Sequence, residues 1–354
     1  MSWMRRVSVS IIAVGLATAL VGCGNTGGGA AGESTGSGGA PASNEVVITY
    51  NSPEQWGNFG EVLSTFTSET GIAAPNDPKN SGQTLAALQA EKSAPVADAA
   101  YVGIAFGEQL AAAGVLQKST PARADQIPAE LKSPDGLWYT VHTGTVAFIV
   151  NKRALNGLPT PQSWKDLLKP EYSGLVGYLD PSQAAVGYSV ATAVNEALGG
   201  SLDDWEPGLG YLEQLRANGA VTLAQTATAK VGQGEIPILI DTDFNGYQLR
   251  DQGSDVEVVI PAEGSLQIPY VVGKVNGAPN SENADELLDF YFSEQGQGLF
   301  AKGYMRPVIG EIPEEMRAKM LPQSDYERAR TVDYVKQGEV QAQFVAQYVE
   351  RVGK

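Results

Sequence analysis

From Glu45 onward the chain alternates short β-branched runs with stretches of helical period, and this alternation confines the folded body to an α/β architecture. Val46-Val47-Ile48-Thr49-Tyr50 reads as a buried strand, and Phe59, Val62, Leu63 and Phe66 then fall at i, i+3, i+4 and i+7, one face of a helix. The rhythm continues with a helix near 84–92, a strand near 97–102, and a helix near 107–113 that stops at Gly114. Residues 145–150, 175–178, 236–240, 256–260 and 267–275 read as further strands. Asp180-Pro181-Ser182 predicts a helix start, with Val186, Val190, Val194 and Leu198 on one stripe and Gly199-Gly200 closing it. Leu209, Leu212 and Leu215 mark another helix, as do 284–292, 294–301 and the tail stripe Val340, Phe344 and Tyr348. Strand–helix alternation of this kind predicts a largely parallel sheet covered by helices. The body, about 310 residues, is longer than a usual single domain, so two lobes are expected.

The segment before Glu45 is an address and a tether. Arg5 and Arg6 precede an apolar run over 7–19, too short for the ~20 residues that cross ~30 Å of hydrocarbon, so residues 1–22 read as a signal peptide. The run ends in Leu20-Val21-Gly22-Cys23, which looks like a lipobox, and Cys23 is the only cysteine of the chain. Its sulfur is the expected lipidation point. Residues 23–44, rich in Gly, Ser and Ala, lack the apolar side chains to offset their ordering entropy and read as a flexible tether. The expected location is therefore the outer face of the cell membrane or its periplasmic side, with lipid on Cys23 as the membrane contact.

A net charge of −16 excludes the basic footprint that nucleic-acid binding needs. One cysteine makes neither an internal disulfide nor a thiolate metal cluster. No G-x-S-x-G elbow, HExxH motif, P-loop or cysteine–histidine pair is present, so no enzyme activity, cofactor or metal is expected.

Three segments carry a family resemblance. Ser81-Gly82-Gln83-Thr84 leads through Glu91-Lys92 to Pro95-Val96-Ala97-Asp98-Ala99. Leu158-Pro159-Thr160-Pro161-Gln162-Ser163-Trp164 runs on to Pro170-Glu171-Tyr172-Ser173-Gly174. Pro261-Ala262-Glu263-Gly264-Ser265, Gly277-Ala278-Pro279-Asn280 and Ser293-Glu294-Gln295-Gly296-Gln297 follow. Together they resemble the extracellular solute-binding proteins of ABC importers, in the type 2 periplasmic-binding branch that includes ferric-iron, polyamine, phosphonate and thiamine binders. The resemblance implies two α/β lobes joined by two crossover strands, near 142–146 and 264–271, with a ligand cleft between them. Lobe one would comprise 45–144 with 265–310, lobe two 145–264, and 311–354 a helical segment packed on both. It also implies a small-molecule solute, a permease and an ATPase as partners, and a monomer.

Strand ends and helix starts face the crevice in such sheets and favour oxygen-rich or anionic groups. The candidate contacts are Asn51 and Ser52 after the first strand, Trp56, the helix start Ser81, Gly82 and Gln83, Thr143 beside His142, and Asp180 and Ser182. The run Ile240-Asp241-Thr242-Asp243-Phe244-Asn245-Gly246-Tyr247 adds Asp241, Asp243, Asn245 and Tyr247, and Tyr270 is a further aromatic candidate. In extended chain Asp241 and Asp243 share a face and attract a cation or an ammonium group; alternatively Asp243 caps a helix while Asp241 is solvated. The adjacent tyrosines that suit a ferric ion are absent, since Tyr247 stands alone. The expectation is a polyamine-like or other amine-bearing solute, with a phosphonate, an organophosphate or ferric ion as the alternative. A ligand sensor for a kinase and a lipid-anchored hydrolase are the readings from other classes.

Overall fold

The computed structural model describes residues 45–224 and 227–353. The expected signal peptide, the expected lipidation point Cys23 and the expected tether lie outside the described residues. Among the described residues twelve strands join into one curled sheet: β1 (Thr49–Asn51), β2 (Asn76–Pro78), β3 (Ala99–Gly103), β4 (Leu116–Gln117), β5 (Tyr139–Asn151), β6 (Val176–Leu179), β7 (Val221–Leu223), β8 (Ile238–Thr242), β9 (Val256–Val259), β10 (Ser265–Val275), β11 (Arg306–Pro307) and β12 (Ala329–Arg330). Nine helices are central to the packing: α1 (Phe59–Thr70), α2 (Ser81–Ala90), α3 (Ile104–Ala112), α4 (Ala185–Ala197), α5 (Glu206–Ala217), α6 (Ala227–Gln233), α7 (Asp243–Asp251), α8 (Ser281–Phe292) and α9 (Glu294–Lys302). A longer C-terminal helix, Tyr334–Arg351, ends the chain.

The sheet is mixed, not largely parallel as the alternation predicts. β1 pairs parallel with β2 and β3, and β6 pairs parallel with β7 and β8. The two long strands run against their neighbours: β10 is antiparallel to β3 and β5, and β5 is antiparallel to β8 and β9. A helix-connected pattern reads the same in sequence whichever way a long strand returns, so the periodicity carries no signal for this reversal.

β5 is the seam. Its first half pairs with β10 as far as Thr145↔Gln267, and from Val146↔Thr242 onward it pairs with β8. All thirteen residues of β5 are buried, as expected for a strand covered on both faces. Ser265 at the start of β10 donates its hydroxyl to the Val146 carbonyl, tying the two long strands together at the changeover.

The C-terminal helix packs on elements of both half-sheets. Gln109 of α3 donates to Gln341, while Gln337 donates to Thr192 of α4 and accepts from the Tyr188 hydroxyl through its carbonyl. Arg351 forks onto Glu206 and Glu213 of α5. Phe344 and Tyr348 of the predicted stripe are buried.

Candidate functional site

The two half-sheets meet face to face through glycines. The Gly82 N–H at the start of α2 donates to the Gln183 carbonyl at 3.0 Å. A Cβ on Gly103, at the end of β3, would lie 2.4 Å from the Ala185 Cβ, closer than two non-bonded carbon atoms can approach. Absence of a side chain at these two positions lets the start of α2 and the end of β3 touch the start of α4.

The approach encloses a narrow pocket. Ser52, Trp56, Lys79, Ser81, Tyr270 and residues 184–186 of the α4 start line it, and its free volume is about 20 Å³. That is enough for about one water, so a solute enters only when the halves separate. α4 has no side-chain cap, and the first N–H groups of a helix have no intrahelical partner. The positive end of a thirteen-residue helix is thus directed at the pocket.

Unpartnered groups gather here. Trp56 and Tyr270 are buried, and neither the Trp56 Nε1–H nor the Tyr270 hydroxyl makes a hydrogen bond among the described residues. The Trp56 Nε1–H faces the Tyr101 hydroxyl and the Tyr270 hydroxyl faces that of Thr242, both outside hydrogen-bond geometry. The Asn51 Nδ2 is likewise buried without a partner, while its Oδ1 accepts from the Ser52 N–H at 2.7 Å. Lys79 lies at 4.0 Å over the Tyr50 ring and pairs with Asp77. Buried donors without acceptors cost about 1–3 kcal/mol each, a cost a bound acceptor would remove.

Behind the pocket the rings of Tyr101, His142 and Tyr270 stack where β3, β5 and β10 meet. Tyr270 lies 5.5 Å from Tyr101 and 4.9 Å from His142, and the Tyr101 hydroxyl bonds His142 Nε2 at 2.8 Å. Burial drives His142 down to about 3, so the imidazole is neutral. Burial, reinforced by the charge of Asp241, drives the Tyr270 phenol well up. Tyr270 is therefore a neutral hydroxyl.

Asp241 and Asp243 do not form the expected pair. β8 ends at Thr242 and Asp243 opens α7, so the two-residue repeat of an extended strand stops between them. Asp243 is fully buried and tied on both oxygens, accepting from the Thr145 N–H at 2.8 Å and from Arg306 Nη2 at 2.7 Å. Asp241 is also buried, not solvated. Its Oδ1 takes the Thr242 N–H and the Asn245 amide, while Oδ2 has no partner among the described residues. Burial raises this carboxyl to about 7.

The remaining candidates are scattered. Gln83 forms a capping box with Asn80 and faces solvent. Thr143 lies in β5 and accepts from Gln267. Asp180 does not cap a helix: its Oδ1 accepts from the N–H and the hydroxyl of Ser182, making a turn that delays the start of α4 to Ala185. Tyr247 is buried against Tyr304, with its hydroxyl on Tyr326, outside the pocket. Sequence reasoning passed over Lys79, Gly103 and 184–186. The aspartate–proline pair, which imitates a helix start, hid the true one.

The profile of a family described as bacterial extracellular solute-binding protein matches residues 94–337, well over half of the chain. The chain belongs to this family.

It is 29% identical over 273 residues to a periplasmic protein of Salmonella typhimurium provisionally named for binding 2-aminoethylphosphonate, covering 73% of this chain and 77% of that one. It is 26% identical over 259 residues to the spermidine/putrescine-binding periplasmic protein of the same organism, covering 70% and 72%. The periplasmic binding protein AfuA of Actinobacillus pleuropneumoniae, solved with fructose-6-phosphate, superposes with a TM-score of 0.75 at 21% identity, over 88% of this chain and 98% of that one. The fold is thus that of the two-lobed periplasmic binding proteins. This solute-binding protein is a component of an ABC importer, acts outside the cytoplasm and captures its solute without chemical change.

Proposed function

We propose that this solute-binding protein captures a zwitterionic organophosphorus solute of the aminoalkylphosphonate class and delivers it to a membrane permease. One observation carries the reading: the uncapped start of α4, the unpartnered donors of Trp56 and Tyr270 and the ammonium of Lys79 converge on one pocket. Such a set of donors suits an oxyanion head. Helix N–H groups contribute ~0.3–1 kcal/mol, and up to ~2 where partly buried.

The amine is assigned to Asp241. A buried carboxylate with one oxygen unpartnered and no cation beside it among the described residues is unfavourable until an ammonium arrives. Asn51, Ser52, Trp56, Ser81, Gly82 and Tyr270 would form the oxyanion side, and Asp241 with Asn245 the amine side. Asp180 and Ser182 would shape the turn before α4. A polyamine-like solute is favoured by Asp241 alone, because Asp243 is held by Arg306.

The relative named for 2-aminoethylphosphonate agrees with this assignment. We place the lobe boundaries where β5 changes partner, near Thr145, and at Gly264 before β10, and we assign membrane attachment to lipid on Cys23 with the protein as a monomer.

A thermal-shift screen of 2-aminoethylphosphonate, methylphosphonate, spermidine and ferric citrate tests the reading. A ligand at 100 times its Kd adds ~2.7 kcal/mol of stability. A shift with 2-aminoethylphosphonate that exceeds the shift with methylphosphonate is expected. A shift with spermidine or ferric citrate alone overturns it.

A further inference from the structure

On the far side of Trp56 lies a second compartment of about 200 Å³. Gln55 and Trp56 from the loop after β1 form one wall, and Thr228, Asn245, Gln248 and Leu249 from α6 and α7 form the other. No charged side chain among the described residues lines it. The Thr228 hydroxyl is buried there without a partner among the described residues, and Asn245 connects the compartment to Asp241 through its amide. Trp56 is common to this space and to the pocket at α4.

We infer that this compartment holds the body of the solute, an uncharged, hydroxyl-bearing group of about six heavy atoms, so that the solute is larger than an aminoethyl chain. The inference rests on the oxyanion-and-amine reading of the adjoining pocket. Volume sets the size: a cavity of about 150 Å³ takes a molecule as large as benzene. Lining chemistry sets the character. Amides and a hydroxyl offer both donors and acceptors to neutral oxygens, while Trp56 and Leu249 present apolar surface to a ring's carbon face. An ethyl chain would leave most of this space to water.

Calorimetric titration of the full-length protein tests the inference with two probes that each carry a tetrahedral phosphorus oxyanion and an amine. 2-Aminoethylphosphonate joins a phosphonate to an amine through two carbons; glucosamine 6-phosphate sets a phosphate ester and an amine on a hydroxylated ring. At least tenfold tighter binding of glucosamine 6-phosphate is expected. Ala229, exposed at the wall of the compartment, is the position to fill. Ala229→Phe should remove that advantage and leave 2-aminoethylphosphonate within twofold. Thr228→Val, of the same shape, should weaken glucosamine 6-phosphate by at least threefold. Equal or weaker binding of glucosamine 6-phosphate while 2-aminoethylphosphonate binds overturns the inference alone. An equal loss of both probes in Ala229→Phe also overturns it, since the wall then governs closure and not the body. Binding of neither probe overturns the head-group assignment as well.

Discussion

Replacing Asp241 by Asn keeps the side-chain shape and the oxygen that accepts from Thr242 and Asn245, and removes the charge. Burial places the folded carboxyl at about 7, against about 3.9 in the unfolded chain. A raised acid is held protonated by the folded state, so its penalty is absent below about pH 4 and grows as pH rises through 7. Between pH 5 and pH 8 the wild-type protein should lose about 2.5 kcal/mol of stability through this group. Unfolding entropy for roughly 310 residues is about 0.65 kcal/mol per kelvin, so the loss is about 4 °C in Tm. Differential scanning calorimetry of wild type and Asp241→Asn, across that range without ligand, isolates the term by difference. The variant should gain about 4 °C on the wild type from pH 5 to pH 8. With 2-aminoethylphosphonate the order reverses, because an ammonium holds Asp241 ionised. Loss of a buried charge partner costs at least about 2 kcal/mol, or thirtyfold in Kd. Parallel Tm profiles for the two proteins would refute the assignment of Asp241 as an uncompensated buried acid.

Other outcomes follow from named contacts. Gly103→Val should weaken solute binding at least tenfold with little loss of stability, because a side chain there collides with Ala185 across the closed pocket and an opened pocket would relieve the collision; titration with a parallel melt separates the two effects. Asp243→Asn should lower stability by about 3 kcal/mol by leaving Arg306 without its partner, read as a melting shift of about 5 °C, and an unshifted melt would show that the pair is not structural. Cys23→Ser should move the protein from the membrane fraction to the soluble fraction, and retention in the membrane would remove lipid on Cys23 as the anchor.

Much of the fold is legible in the sequence because burial enforces period. Phe59, Val62, Leu63 and Phe66 are all buried along α1, and Gly114, Gly199 and Gly219 all take the left-handed backbone their places at helix ends suggest. Strand direction is not legible, since the residues of β5 and β10 would look the same in a parallel sheet. The site is only partly legible. Trp56, Ser81 and Tyr270 reach the pocket, whereas Asp243 and Tyr247 turn away with α7 to Arg306 and to Tyr326. Polar residues after a strand mark a cleft; which of them another segment claims depends on partners such as Arg306, more than 60 residues away. The glycine and alanine contacts at Gly103 and Ala185 carry no chemical signature at all.

On the proposal made above, charge decides what binds: the lobes close around a solute with its oxyanion at α4 and its amine at Asp241. The decisive measurement is isothermal titration of the full-length protein at pH 8 with 2-aminoethylphosphonate, ethylphosphonate and spermidine. One saturable site per chain for 2-aminoethylphosphonate, with ethylphosphonate at least thirtyfold weaker and no saturable heat from spermidine, is the predicted result. Saturable binding of spermidine, with none of either phosphonate, would contradict it.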